Sequence, residues 1–154
     1  MKAFLLLLVC SAAHAGTVKF QVTLSPAGDF VAQSAKGRGF IEKNGSDLTA
    51  AELSVEVGTL KTDIDLRDKH LHERLGGVKS KIILKNAKGS GGKGTGTLVA
   101  NGQSKPVSFN YKESNGQVVA RFAIQPSDFG IKDVKYLGIG VEDKVVVDVQ
   151  FPVR

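Results

Sequence analysis

The stretch Leu60–Gly76, LKTDIDLRDKHLHERLG, is the one segment that reads as helix in a chain whose remaining periodicity is that of strands, so its reading decides the fold. Thr62 and Asp65 stand three apart in a capping-box pattern and Gly76-Gly77 supplies a stop, so the spacing predicts a helix across this span. Ile64, Leu71 and Leu75 fall at i, i+7 and i+11 and make one narrow apolar stripe. Acidic residues crowd the first turns and Arg74 lies in the last, as the helix dipole favours. Asp63–Arg67 and Asp65–Lys69 can pair at i, i+4, but exposed pairs contribute only about 0.3–0.5 kcal/mol each. These charges solubilise more than they stabilise.

The same segment carries two of the chain's three histidines and is the first place to look for chemistry. His70 and His72 are two apart, which on a helix points them about 200° from each other. They cannot chelate one ion as an i, i+4 histidine pair does. Asp68 with His72, and His70 with Arg74, do share a face, and a carboxylate beside an imidazole can tune a general base. The plainer reading is a set of surface pairs in which one histidine fixes a loop by hydrogen bonding. No serine or cysteine stands in an elbow sequence that would complete a triad.

Before the helix, Met1–Ala15 reads as an export signal. Lys2 gives the charged start, Ala3–Val9 the apolar run, and Ala13-His14-Ala15 a small-x-small cleavage site, so cleavage after Ala15 and a periplasmic or secreted mature protein of residues 16–154 are expected. A lipoprotein reading of Cys10 competes, but Val9 stands where a small residue belongs. No apolar run is long enough to span a bilayer as a helix. Cys10 is the only cysteine, so the mature domain holds itself together without disulfides. The formal charge of +6 becomes +5 without Lys2, and the basic residues are scattered singly, with no cluster of arginines and aromatics. Nucleic acid is therefore not an expected partner, whereas an anionic head group or transient contact with a membrane surface stays open.

The strands set the architecture. Thr17–Leu24 alternates strictly, with Val18, Phe20, Val22 and Leu24 on one face. A longer run, Phe30–Glu42, follows the turn at Pro26-Ala27-Gly28, and Ala51–Val57 places Leu53, Val55 and Val57 opposite Glu52, Ser54 and Glu56. After the helix come Ile82–Lys85, Gly94–Ala100, Pro106–Lys112 and Gln117–Ile124, with turns at Asn101-Gly102 and Asn115-Gly116. Gln125–Leu137 is a long connection that can hold one helical turn. Lys144–Val153 closes the chain with Val145, Val147, Val149 and Phe151 on one side. The loop KGSGGKG, Lys88–Gly94, lacks the spacing of a phosphate cradle and is followed by strand, so it reads as a flexible hairpin connection.

These patterns predict an all-β domain, an eight-stranded antiparallel barrel with one short helix between strands 3 and 4. Alternation in every strand fits an up-and-down barrel better than a parallel sheet, whose strands read as continuous apolar runs. Such a barrel is just filled by its own side chains, or holds one small or elongated guest. Gly37, Gly39, Gly94 and Gly96 bear on that choice, marking either curvature and close backbone approach or space for a guest.

The helical stretch also resembles the RDxHL region of the YceI-like family, with Arg67, Asp68, His70 and Leu71 at the motif positions. The region around Gly37-Arg38-Gly39, Phe129-Gly130-Ile131 near Gly138, and the valine-rich last strand agree, so the resemblance covers the mature chain. One departure follows the motif: Arg74–Lys81 stands where family members carry an aromatic-rich segment. The resemblance implies an exported, lipocalin-like barrel that binds a polyisoprenoid lipid. On it rests the expectation of a non-enzymatic carrier or store for an isoprenoid or other long-chain lipid, with no cofactor and no metal. The lumen is expected to be walled by Phe20, Val22, Leu53, Val55, Phe109, Phe122, Val147 and Val149. Two copies could share a long tail as a homodimer, although no residue pattern requires it. Competing readings are a secreted enzyme using His70 and Asp68, and a packed structural or stress-response barrel without ligand.

Overall fold

The computed structural model describes residues 15–136 and 138–154, with the side chain of residue 136 left aside. The expected leader and Cys10 therefore lie outside the described residues, apart from Ala15. Ten strands form one antiparallel sheet: β1 (Gly16–Ser25), β2 (Asp29–Gly37), β3 (Glu42–Asn44), β4 (Asp47–Glu56), β5 (Lys81–Ser90), β6 (Lys93–Ala100), β7 (Gln103–Ser114), β8 (Gln117–Ile124), β9 (Lys135–Tyr136) and β10 (Ile139–Pro152). Their order is β2-β1-β10-β8-β7-β6-β5-β4-β3, with β9 beside the start of β10. The helix α1 (Asp65–Arg74) lies between β4 and β5.

The sheet curls until β2 meets the β4 side. That seam is made of two isolated antiparallel bridges, Gln33 with Lys61 and Arg38 with Ser54, each pair exchanging backbone hydrogen bonds of 2.7–3.0 Å. Ser54 lies on the seam and is buried, although alternation alone placed it outside. A third, parallel bridge between Ile41 and Val153 ties the link between β2 and β3 to the end of β10, so the lipocalin-like antiparallel barrel is present, joined by isolated bridges instead of a continuous ladder.

Strand count and strand ends differ from expectation for local reasons. The run Phe30–Glu42 is cut at Gly39, whose φ of +114° and close approach to the Glu52 carbonyl suit only a residue without Cβ. This break yields β2 and β3 from one expected strand. The expected loop Lys88–Gly94 shrinks to a two-residue turn at Gly91-Gly92, because both glycines take positive φ and let β5 and β6 continue on either side. A bulge at Asn86, with φ +52°, shifts the β5–β6 register by one residue, from Lys85 opposite Thr97 to Lys88 opposite Thr95. The connection after β8 holds a 3-10 turn at Pro126–Phe129 that packs against β7, and Asn101 at the β6–β7 turn donates to the Phe129 carbonyl at 2.9 Å.

The helix also begins later than its sequence suggests. Ile64 occupies the N-cap position with no side-chain cap, so the Thr62–Asp65 capping box does not form. At the other end the stop is as expected: Gly77 N–H donates to the His72 carbonyl at 2.8 Å and Gly76 N–H to Glu73 at 3.3 Å, a Schellman closure.

Inside the barrel, Val18, Phe20, Val22, Leu53, Val55, Phe122, Val145, Val147 and Phe151 belong to one buried cluster. The inward faces read from alternation are therefore the inward faces of the fold. The four glycines come down on the side of close approach: a Cβ at Gly37 would stand 2.8 Å from the Gly16 carbonyl oxygen, one at Gly96 2.9 Å from Leu84, and one at Gly94 would collide with the Phe109 ring. No guest space is left at these positions.

Candidate functional site

The strands run up and down between two ends, and α1 follows the top of β4. The chain therefore places the last residues of β1, β4, β6 and β8 and the first of β2, β5 and β10 at the α1 end. Their inward side chains surround a cavity of about 640 Å³. Phe20, Val22 and Leu24 of β1 form one wall with Phe30 and Ala32 of β2. Leu98 and Ala100 of β6 and Ile124 of β8 form another, while Leu60, Leu71 and Leu75 roof it from the helix side. Phe129, Ile131 and Val134 complete it from the connection after β8. The lining is overwhelmingly apolar, with Arg67, His70, Glu73, Arg74 and Lys135 as its charged or titratable members.

The expected lumen residues divide between places. Phe20 and Val22 line this cavity. Leu53, Phe109, Phe122 and Val149 instead border a void of about 40 Å³ toward the opposite end, where Phe109 and Phe122 also face an open, partly polar recess of about 820 Å³ with Asp47, Lys88, Lys93 and Arg121; Val55 and Val147 are buried and border none of these spaces. The eight residues thus do not wall one continuous tube, because aromatic rings pack across the far end. Phe109 and Phe122 lie 6.0 Å apart between ring centroids, and Phe151 packs onto Gly16 and Gly37. What sequence reasoning missed are the inward residues nearest α1, such as Leu98, Ala100, Ile124 and Val145. Hairpin order carries the signal that could have found them, since it fixes which strand ends share the helix side.

The family motif holds the helix over this mouth through polar contacts. Asp68 and His72 share a face, as their spacing required, and both are buried, at 6% and 7% exposed. The Asp68 carboxylate accepts the Thr62 N–H at 2.7 Å and the Thr62 hydroxyl at 2.6 Å. His72 Nε2 donates to the Leu60 carbonyl at 2.8 Å, and Arg67 Nη2 donates to the Thr62 carbonyl at 2.8 Å while its guanidinium lies 4.4 Å from the Phe30 ring centroid. Three side chains of α1 therefore grip the backbone of Leu60–Thr62, and Lys61 in turn bridges to Gln33 across the seam. Arg67 makes these contacts instead of the expected pair with Asp63. The apolar stripe is also redistributed: Leu71 and Leu75 pack on the core, but Ile64 is 51% exposed.

Electrostatics follow from this grip. Burial alone would raise the Asp68 pKa, but the two Thr62 donors, with Lys61 and His72 nearby, outweigh it and hold the carboxyl below its ordinary value. Asp68 is thus an ionised acceptor committed to Thr62, and His72 is committed to Leu60. His70 lies on the other face of α1, exposed and in the cavity lining with Leu71 and Arg74. Among the described residues no three His, Cys, Asp or Glu side chains cluster to hold a metal ion, and no helix is long and apolar enough to cross a membrane.

A curled antiparallel barrel, packed at one end and hollow at the other beneath a short helix, defines a lipocalin-like architecture. The YceI-like domain model matches residues 10–153, and the chain belongs to that family. No curated protein matches the sequence. Among solved structures, the chain is similar to a polyisoprenoid binding domain from Saccharophagus degradans implicated in plant cell wall breakdown, with TM-score 0.63 and 14% identity over 90% of this chain and 93% of that one. It is also similar to BcnA of Burkholderia cenocepacia, with TM-score 0.62 and 10% identity over 86% of this chain and 94% of that one. At these identities the likeness is one of fold.

Proposed function

We propose that the protein is an exported, non-enzymatic binding protein that holds an isoprenoid or other long-chain lipid in the cavity beneath α1, for transport or storage. The observation that carries this reading is the cavity itself, about 640 Å³ with nearly continuous aliphatic and aromatic walls. Covering an apolar tail there is favourable by about 25 cal/mol per Å² of area removed from water, which exceeds the ordering cost once much of the tail is enclosed. The binding described for the Saccharophagus domain supports the same ligand class. The non-enzymatic reading is supported by the use of Asp68 and His72 as structural hydrogen-bonding groups. Export is supported by the leader pattern and by the position of β1, which begins at Gly16, so cleavage after Ala15 removes nothing from the sheet.

The test is to express the chain with its leader, purify it from the periplasm or medium, extract with organic solvent and identify the extract by mass spectrometry. A long-chain lipid in near-stoichiometric amount, on a protein whose N-terminal residue is Gly16, is the expected result. Protein that yields no lipid and takes up neither a polyprenol nor a fatty acid when these are added would refute the reading.

A further inference from the structure

Seven large apolar side chains among the described residues are more than a third exposed, and three of them gather at one place. Ile64, Leu66 and Ile139, exposed by 51%, 55% and 44%, all stand at the rim of the cavity beside α1. Arg74 and Lys135 stand in the same rim, and among the described residues neither has an ion-pair partner. Glu73 is the single acidic residue in the lining. Apolar rim and apolar lumen are thus continuous, and the lining carries Arg67, Arg74 and Lys135 against Glu73 alone, while the exposed Asp63 and Asp65 flank Ile64 outside it.

We propose that this rim is a docking surface for an anionic lipid bilayer. Ile64, Leu66 and Ile139 enter the boundary between head groups and acyl chains, while Arg74 and Lys135 meet lipid phosphates. This inference rests on the lipid-holding function, and it supplies what that function needs: a path by which a tail moves between bilayer and cavity without crossing water. The positive charge matches the phosphates of such a surface. The exposed aliphatic rim runs on into the apolar lining of the cavity, so a bilayer is the occupant from which a tail passes inward along one continuous apolar path.

The experiment is co-sedimentation of the purified mature protein with vesicles of phosphatidylcholine alone or of equal parts phosphatidylcholine and phosphatidylglycerol, at low salt. Binding to the mixed vesicles is expected to be roughly tenfold tighter, and to weaken as salt rises. Leu66→Ser and Ile64→Ser should each weaken binding several-fold, roughly in proportion to the apolar area withdrawn. Arg74→Gln with Lys135→Gln should abolish the preference for the anionic vesicles. Val119→Ser, on the outer face of β8 and exposed by 44%, is the matched control and should bind as the unaltered protein does. No sedimentation with mixed vesicles at low salt, or equal effects of Leu66→Ser and Val119→Ser, would overturn the docking surface. Lipid extraction of the same sample separates the two levels: copurified lipid without vesicle binding sinks the docking surface alone, and absence of both sinks the lipid-holding reading as well.

Discussion

The two ends of the barrel are made by the same strands with the same alternation, yet one is solid and the other hollow. At the far end Phe151 packs on Gly16 and Gly37, Tyr111 on Gly89 and Phe109 on Gly94, so each large ring occupies the place of a missing side chain. Between the rings only about 40 Å³ is left, and the larger space at that end, about 820 Å³, is an open recess walled by polar as well as apolar side chains, Asp47, Lys88, Lys93 and Arg121 among them. At the α1 end Phe20, Phe30 and Phe129 stand in the walls without a glycine to receive them, Val22, Ala32, Leu98 and Ala100 do not reach across, and a cavity of about 640 Å³ results. Hollowness thus depends on how ring and glycine positions are distributed along the barrel axis and not on overall hydrophobicity.

The difference can be broken most forcefully at its solid end. Phe151→Ala removes a buried ring that spans two glycines and should lower stability by about 3–5 kcal/mol, measured by chemical denaturation. A paired substitution sharpens the contrast. Ala120→Phe, beside the 40 Å³ void, should cost about 1–3 kcal/mol through overpacking. Ala100→Phe, in the wall of the large cavity, should cost less than about 1 kcal/mol while displacing bound lipid, read by extraction and mass spectrometry. Equal destabilisation by the two would mean that the ends are packed alike.

The roof of the hollow end is held by polar contacts, so it responds to pH as the solid end does not. Asp68→Ala leaves the Thr62 donors buried without their acceptor and should cost about 1–3 kcal/mol. Because folding lowers the Asp68 pKa, its contribution is fully present above the ordinary carboxylate value of about 3.8 and is lost as pH falls through the lower folded value. Hydrogen exchange should therefore show α1 loosening in acid before the β1–β10 ladder does. The smallest effect belongs to the outer wall, where the half-buried Asp148 accepts from two guanidinium nitrogens of Arg121 and from Gln21; Asp148→Ala should lower stability by no more than about 1 kcal/mol, measured by chemical denaturation.

Much of the fold was legible. Alternation in β1, β4, β8 and β10 identified the inward residues, and the Asn-Gly pairs at 101–102 and 115–116 marked hairpins that form as expected, with positive φ at all four residues. The candidate site was less so. Asp68 and His72 were correctly placed on one helix face, but that this face is buried against the Leu60–Thr62 backbone depends on a neighbouring segment whose path no periodicity records. For the same reason the stripe containing Ile64 reads as a packing surface in sequence and forms an exposed rim in the fold.

The sequence alone determined an antiparallel β-structure with one helix and told inward from outward faces, because a two-residue period and turn chemistry are properties of a few consecutive residues. It also supplied the family motif. Only the tertiary structure decided that the helix is gripped through polar atoms, that the barrel closes through isolated bridges, and which end is hollow. Free volume is set by side chains that approach from opposite walls, and that relation exists only once the strands have been brought round to face each other.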